Sequence, residues 1–170
     1  MEVAVPPLTP YLVVSNAAEA IEFYKKAFGA TQDGVSHVMP GTGKIMHARL
    51  IVNDAMIMLA DDMGPTMGRG ESHPRALGGS PITLALRLTD VRSFWERAVQ
   101  AGATVTMPLA DQFWGDRYGE IEDPYGHKWS MSQTITVMSD SEMQEGAVRT
   151  LQATAAPPPQ GGVQPTDSWG

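Results

Sequence analysis

GEIEDPYGHKWSMS, residues 119–132, decides how this chain is read. Asp123-Pro124-Tyr125 is a turn signal: the proline is pre-set for the second turn position, and the aspartate side chain can cap it. The segments on either side, DRYGEIE (116–122) and GHKWSMS (126–132), then form a β-hairpin. The stretch also sets His127 close behind Glu122 and Asp123, which raises the question of a metal or catalytic site. Successive strand side chains point to opposite faces, so His127, Trp129 and Met131 share one face while Lys128, Ser130 and Ser132 share the other.

Upstream, one pattern occurs twice. VSNAAEAIEFYKKAFGAT (14–31) and LTDVRSFWERAVQAGAT (88–104) each run from a short strand through a polar cap into an amphipathic helix and end in Gly-Ala-Thr. In the first, Asn16 caps the helix with Glu19 three residues on, Ala17, Ile21, Tyr24 and Phe28 form the apolar stripe, and Gly29 ends it. In the second, Asp90 is the cap, Val91, Phe94, Trp95, Ala98 and Val99 form the stripe, and Gly102 stops it. Strands follow in both halves. KIMHARLIV (44–52) and AMIMLAD (55–61) meet at Asn53-Asp54, a tight hairpin turn, and TVTMPLA (104–110) precedes the hairpin quoted above.

The expected fold is therefore α+β: two paired βαβββ modules forming a cup-shaped, curved mixed β-sheet with helices outside. A single domain over 1–135 is expected, with module one at about 8–62, a Gly- and Pro-rich linker or lid at 63–80, and module two at about 81–133. A short capped helix beginning near Ser139 or Ser141 (136–154) and a disordered tail (155–170) complete the expectation.

IEFYKKAFGA in the first helix and EDPYGHKW in the last hairpin resemble the vicinal oxygen chelate superfamily of glyoxalase I, extradiol dioxygenases and bleomycin-resistance proteins, over roughly residues 8–133. HARLIVNDAMIMLADD, WGDRYGEIEDPYGHKWSMS and SDSEMQ are similar to its PhnB-like branch. The resemblance implies one metal ligand on each of four strands, at positions occupied here by Thr9, Met58, Thr83 and Ser130. Neutral hydroxyls and a thioether are poor ligands for a divalent ion, so neither metal nor cofactor is expected. If Ser130 faces into the cup as that position implies, His127 faces away and supports packing.

His47 is the better polar candidate. On IMHARLIV it shares a face with Ile45, Arg49 and Ile51, with Met58 brought near, and Arg87 lies on the corresponding strand of module two. Two readings stand side by side: a cup partly lined by cations that suits an anionic or carbonyl-bearing ligand, or arginines solvated on the outer face. QFWGDRYGE (112–120) is either an aromatic rim carrying Trp114, Asp116 and Arg117, or core closure by Trp114 with a surface ion pair. Met39, Met46, Met56, Met58, Met63 and Met67 could line a cup that repacks around varied apolar ligands, or fill the core.

Composition narrows the function classes. A net charge of -7 with no basic cluster argues against nucleic acid, and the absence of cysteine removes disulfides and thiolate chemistry. MEVAVPPLTP carries no basic n-region, and no segment approaches the roughly 18 apolar residues of a membrane span. There is no GxSxG, HExxH or phosphate loop, and GTGK (41–44) is too short for one. The expectation is a cytoplasmic, homodimeric, metal-independent small-molecule-binding protein that sequesters an aromatic or amphiphilic ligand, lined by Tyr11, His47, Arg49, Met58, Arg87, Trp114, Asp116, Arg117 and Ser130. The alternatives are a glyoxalase-like or dioxygenase-like enzyme, with relocated ligands such as His47 with Asp61 or Glu120 or with His47 as a metal-free base, and a dimerisation or partner-binding scaffold.

Overall fold

The computed structural model describes residues 5–155. Module one contains β1 (Tyr11–Val14), α1 (Ala17–Phe28), the short strands β2 (Thr31–Gln32) and β3 (His37–Val38), then β4 (Ile45–Val52) and β5 (Ala55–Asp61). A 3-10 turn (Pro65–Met67) and the one-turn α2 (Pro74–Leu77) follow. Module two contains β6 (Thr83–Arg87), α3 (Val91–Ala101), β7 (Thr104–Asp111), β8 (Asp116–Glu122) and β9 (Lys128–Thr134), and α4 (Asp140–Ala155) comes last.

Local chemistry accounts for these boundaries. The Asn16 side chain accepts from the Glu19 amide (3.2 Å), the Asp90 side chain accepts from the Ser93 amide (3.2 Å), and Gly29 and Gly102 take left-handed conformations that end the helices. Asn53 and Asp54 have φ of 47° and 62°, the pair of positive values that a two-residue hairpin loop requires. Ser139 and Glu142 cap each other at the start of α4, whose Gly146 lies against the Phe113 ring. The expected tail at 155–170 falls, from residue 156 on, outside the described residues.

The modules repeat in topology. One sheet runs β1-β5-β4-β2 with β3 also on β4, and the other runs β6-β9-β8-β7. In each, the strand before the helix pairs in parallel with the last strand, and the other pairings are antiparallel. Alternation then divides each sheet into two faces. Leu12, Val14, Ala48, Leu50 and Leu59 of the first, and Leu86, Ile121, Trp129 and Met131 of the second, are buried against the helices. Because α1 packs on α3, the two covered faces share one core: Phe28 stacks on Phe94 (5.4 Å between ring centres) and meets Trp129 (4.7 Å). Val99, expected in the stripe of α3, is instead 38% exposed, so the buried stripe narrows to Val91, Phe94 and Ala98.

The hairpin at 119–132 joins the modules through Asp123, which is fully buried. Its Oδ1 accepts from the amides of Tyr125 (2.9 Å) and His127 (3.0 Å), which closes the turn. Its Oδ2 accepts from the Tyr24 hydroxyl of α1 (2.7 Å) and the Trp129 indole (2.9 Å). The segment expected as a linker or lid contacts the same hairpin: Arg75 of α2 donates to the Pro124 carbonyl (3.1 Å) and pairs with Glu122 (3.2 Å).

Replacing Asp123 by Ala leaves two buried side-chain donors unpaired, each costing roughly 1–3 kcal/mol. Urea unfolding is expected to show a loss of about 3 kcal/mol or more for Asp123→Ala and about 1 kcal/mol for Tyr24→Phe. Midpoints equal to that of the parent protein would remove this carboxylate from its central place.

Candidate functional site

The site is built on the sheet faces that the helices leave open. In module one, register aligns Tyr11 of β1 with Met58 of β5 and Met58 with Arg49 of β4, so these three side chains form one row. Tyr11 is 49% exposed. Its hydroxyl donates to the Met46 carbonyl (3.1 Å) and stands 3.3 Å from His47 Nδ1. When the hydroxyl's one proton is on Met46, His47 donates to it from Nδ1–H and Nε2 keeps its lone pair. Burial pushes the His47 imidazole below its ordinary value, and His37 and Arg49 add to the effect, so the ring is held neutral. Arg49 pairs with Asp33 (3.1 Å).

In module two, the matching row is Ala85, Ser130 and Glu120, followed by Arg87, Ser132 and Tyr118. Tyr118 donates to Glu120 (2.6 Å). Burial raises the Tyr118 hydroxyl and Glu120 raises it further, against an opposing hydrogen bond to Ser130. Arg87 reaches Thr134 Oγ1 (2.5 Å) and lies 3.6 Å from Asp116. Trp114 stands edge-on to Phe113 (4.9 Å) and Tyr118 (5.7 Å) at the rim.

Arg117 does not join this group. Its register partner is Gln133, whose Oε1 accepts from the Val91 amide at the start of α3, so Arg117 lies on the helix side, where it grips Asp111 with two bonds (2.6 and 2.9 Å). Asp116 and Arg117, expected at one rim, therefore stand on opposite faces because they are adjacent in a strand. His127 is buried, with Nε2 3.1 Å from the Val13 carbonyl of β1, a packing role between the modules.

The positions that resemblance marks for metal ligation do not suit a divalent ion. Thr9 Oγ1 donates to the Pro6 carbonyl (3.2 Å), Met58 offers a thioether, Thr83 is an exposed hydroxyl and Ser130 a buried one. Among the described residues, no group of three or more His, Asp or Glu gathers where an ion could be held. Asp61, considered with His47 as a relocated ligand, uses its Oδ1 for the Ala17 amide (2.9 Å) and its Oδ2 for the Ile45 amide (2.6 Å), and Glu120 belongs to the other sheet.

Beside Tyr11 lies a cleft of about 340 Å³, walled by β1, β4, β5 and the segment after β5, and lined in part by Met46, Ala60, Met63, Met67 and Arg69. The sequence pointed to these methionines but not to Arg69. His37 and Asp33 also went unassigned, because they lie in or beside two-residue strands that carry no periodicity, whereas Glu120, named from the sequence only as a relocated metal ligand, matters through the register of β8 on β9.

Residues 5–131 match the family model described as the Glyoxalase/Bleomycin resistance protein/Dioxygenase superfamily. An uncharacterized protein of Mycobacterium tuberculosis (strain ATCC 25618 / H37Rv) is 46% identical over 140 residues, covering 82% of this chain and 81% of that protein. Among solved structures, TioX from Micromonospora sp. ML1 superposes with a TM-score of 0.56 at 23% identity, covering 79% of this chain and 100% of that one. The PhnB protein from Bacillus cereus gives 0.59 at 18% identity, covering 75% and 99%. These two structural likenesses speak for the fold.

In an NMR titration, His47 is expected to protonate below the ordinary histidine value of about 6.5, and to move up toward it in Arg49→Gln. Since the folded state favours the neutral ring, the stability this contributes is full above the ordinary value and is lost as pH falls through the depressed one. Protonation at or above the ordinary value would refute the neutral assignment.

Proposed function

This chain belongs to the glyoxalase/bleomycin resistance protein/dioxygenase superfamily, and from that premise we propose that it binds and sequesters a small aromatic or amphiphilic molecule without a chelated metal ion. The observation that carries the reading is the open row Tyr11, Met58 and Arg49 beside a methionine-lined cleft, with a neutral imidazole at its edge. Apolar ligand surface would be buried on Met58 and the methionine wall, and the ring of Tyr11 would stack on an aromatic group. His47, with Nε2 free to accept, would orient a ligand donor. Arg87, Asp116, Ser130 and Trp114 of module two would add a second open row to the binding surface.

The reading includes a homodimer, supported by apolar surface at Ile82, which is 66% exposed. The cytoplasmic placement carries over from the cysteine-free sequence. A second reading, a metal-free enzyme with His47 as general base, is favoured by the 3.3 Å approach of the Tyr11 hydroxyl to Nδ1, which would leave Nε2 for proton abstraction.

Titration with N-phenyl-1-naphthylamine, a neutral aromatic probe, is expected to saturate, and Tyr11→Ala and Trp114→Ala are each expected to weaken it several-fold to about tenfold. Absence of saturable binding would end the sequestration reading. Protein purified without chelator is expected to carry under about 0.1 ion per chain, with a thermal midpoint unmoved by zinc, nickel, manganese or iron(II). A stoichiometric ion would make a metal-dependent enzyme the leading reading.

A further inference from the structure

We propose that the segment following β5 gives the module-one cleft a fixed wall with one available cation, Arg69, so that the cleft selects ligands carrying a single anionic group on an apolar body. This inference rests on the reading of the open face as a ligand site, and adds to it the chemical class of the ligand.

The wall is built rather than loose. Asp62, buried at the end of β5, accepts from the amides of Gly64 (2.9 Å), Ser72 (2.5 Å) and His73 (3.0 Å) and from the Ser72 hydroxyl (3.3 Å), drawing both ends of the segment to one carboxylate. Burial alone would raise that carboxyl, but the amide donors outweigh it and hold it below its ordinary value. Inside the segment, the amides of Met67 and Arg69 return to the Gly64 carbonyl (3.0 and 2.8 Å). The chain crosses itself so closely that a Cβ on Gly64 would lie 2.1 Å from the Gly70 carbonyl oxygen, which only glycine permits. Lys44, just before β4, adds a tie from the strand side through the Asp62 carbonyl (3.2 Å) and Thr66 (3.3 Å).

This anchoring sets Met63, Met67 and Arg69 across the cleft from Tyr11, Met46 and Ala60. Thioethers suit an apolar body of irregular shape. Of the charged side chains lining the cleft, Asp61 has each carboxylate oxygen engaged by a backbone amide. Arg69 is exposed, its guanidinium lies beside the Met67 sulfur, and it makes no ion pair among the described residues. A guanidinium has five donors and no acceptor, so the ligand group that completes it is a carboxylate, sulfonate or phosphate ester. In a chain of net charge -7, such a cation within an apolar cleft is also a local reversal of sign.

The test compares two aromatic probes of similar size on the full chain: 8-anilinonaphthalene-1-sulfonate, which is anionic, and neutral N-phenyl-1-naphthylamine. The parent protein is expected to bind the sulfonate about tenfold more tightly, with a preference that shrinks as salt is added. Arg69→Gln is expected to abolish the preference by weakening the sulfonate about tenfold more than the neutral probe, with the thermal midpoint unchanged, and Arg69→Lys should retain part of it. Equal binding of both probes by the parent protein, or a sulfonate preference that survives Arg69→Gln, overturns the inference and leaves the ligand site standing. If neither probe binds, the ligand-site reading falls with it.

Discussion

A carboxylate with no exposure to solvent holds this molecule in register. Asp123 could not be buried as a charge without compensation, because desolvating an isolated carboxylate costs far more than the fold's whole margin of stability. Two backbone amides of its own turn, a tyrosine from the other module and an indole from its own strand supply that compensation. Each donor is thereby fixed as well. Trp129 is oriented so that its ring meets Phe28, α1 is set against β9, and the two covered sheet faces close into one core. Burial pushes the Tyr24 hydroxyl well above its ordinary value and Asp123 adds to it, so the proton stays in the bond.

That arrangement has a direct consequence for chemistry. With the helices gathered on one side, every strand must present its alternate residues on the other, and the open faces become the surface on which function can be built. Their composition is mixed. Arg49 and Glu120 occupy corresponding positions in the two rows, as do Met58 and Ser130. At the positions where a related fold would chelate an ion, hydroxyls and a thioether offer no charge to offset a divalent cation's dehydration. The polar groups that remain are committed to neighbours: Tyr118 to Glu120 and Arg49 to Asp33. A surface of that kind favours binding by shape, stacking and one or two directed hydrogen bonds.

Much of this was readable from the sequence because it depends on short-range rules. Asn16, Asp90, Gly29 and Gly102 announce helix ends, Asn53-Asp54 announces a hairpin, and parity alone placed His127 away from Ser130. The same parity, carried from Ser130 through the hairpin to β8, would have put Arg117 on the helix side. The aromatic-charged rhythm of QFWGDRYGE points to a shared rim instead, a composition signal that alternation along β8 overrides. The reach of Asp123 to Tyr24 was hidden for another reason: 99 residues separate the two, and a turn aspartate with a local capping role gives no sign of a distant second partner. His37 and Arg69 lie where no period exists to read.

The segment at 62–73 shows why glycine- and proline-rich composition is an incomplete guide. Such composition says that backbone freedom is available, and the usual inference is a mobile connection. Here the freedom is used to make turns that other residues could not make: Gly64 passes under the Gly70 carbonyl, and Gly68 takes φ of 71° to end the 3-10 turn. What converts a permissive chain into a fixed one is the carboxylate of Asp62, whose position two residues before Gly64 and ten before Ser72 lets it collect amides from both limbs of the loop. Asp61 beside it serves the sheet and the start of α1, so adjacent aspartates of opposite parity brace the strand on one side and the loop on the other. The cleft wall is thus specified by the same alternation that specifies the sheet, continued one residue past the last strand pairing.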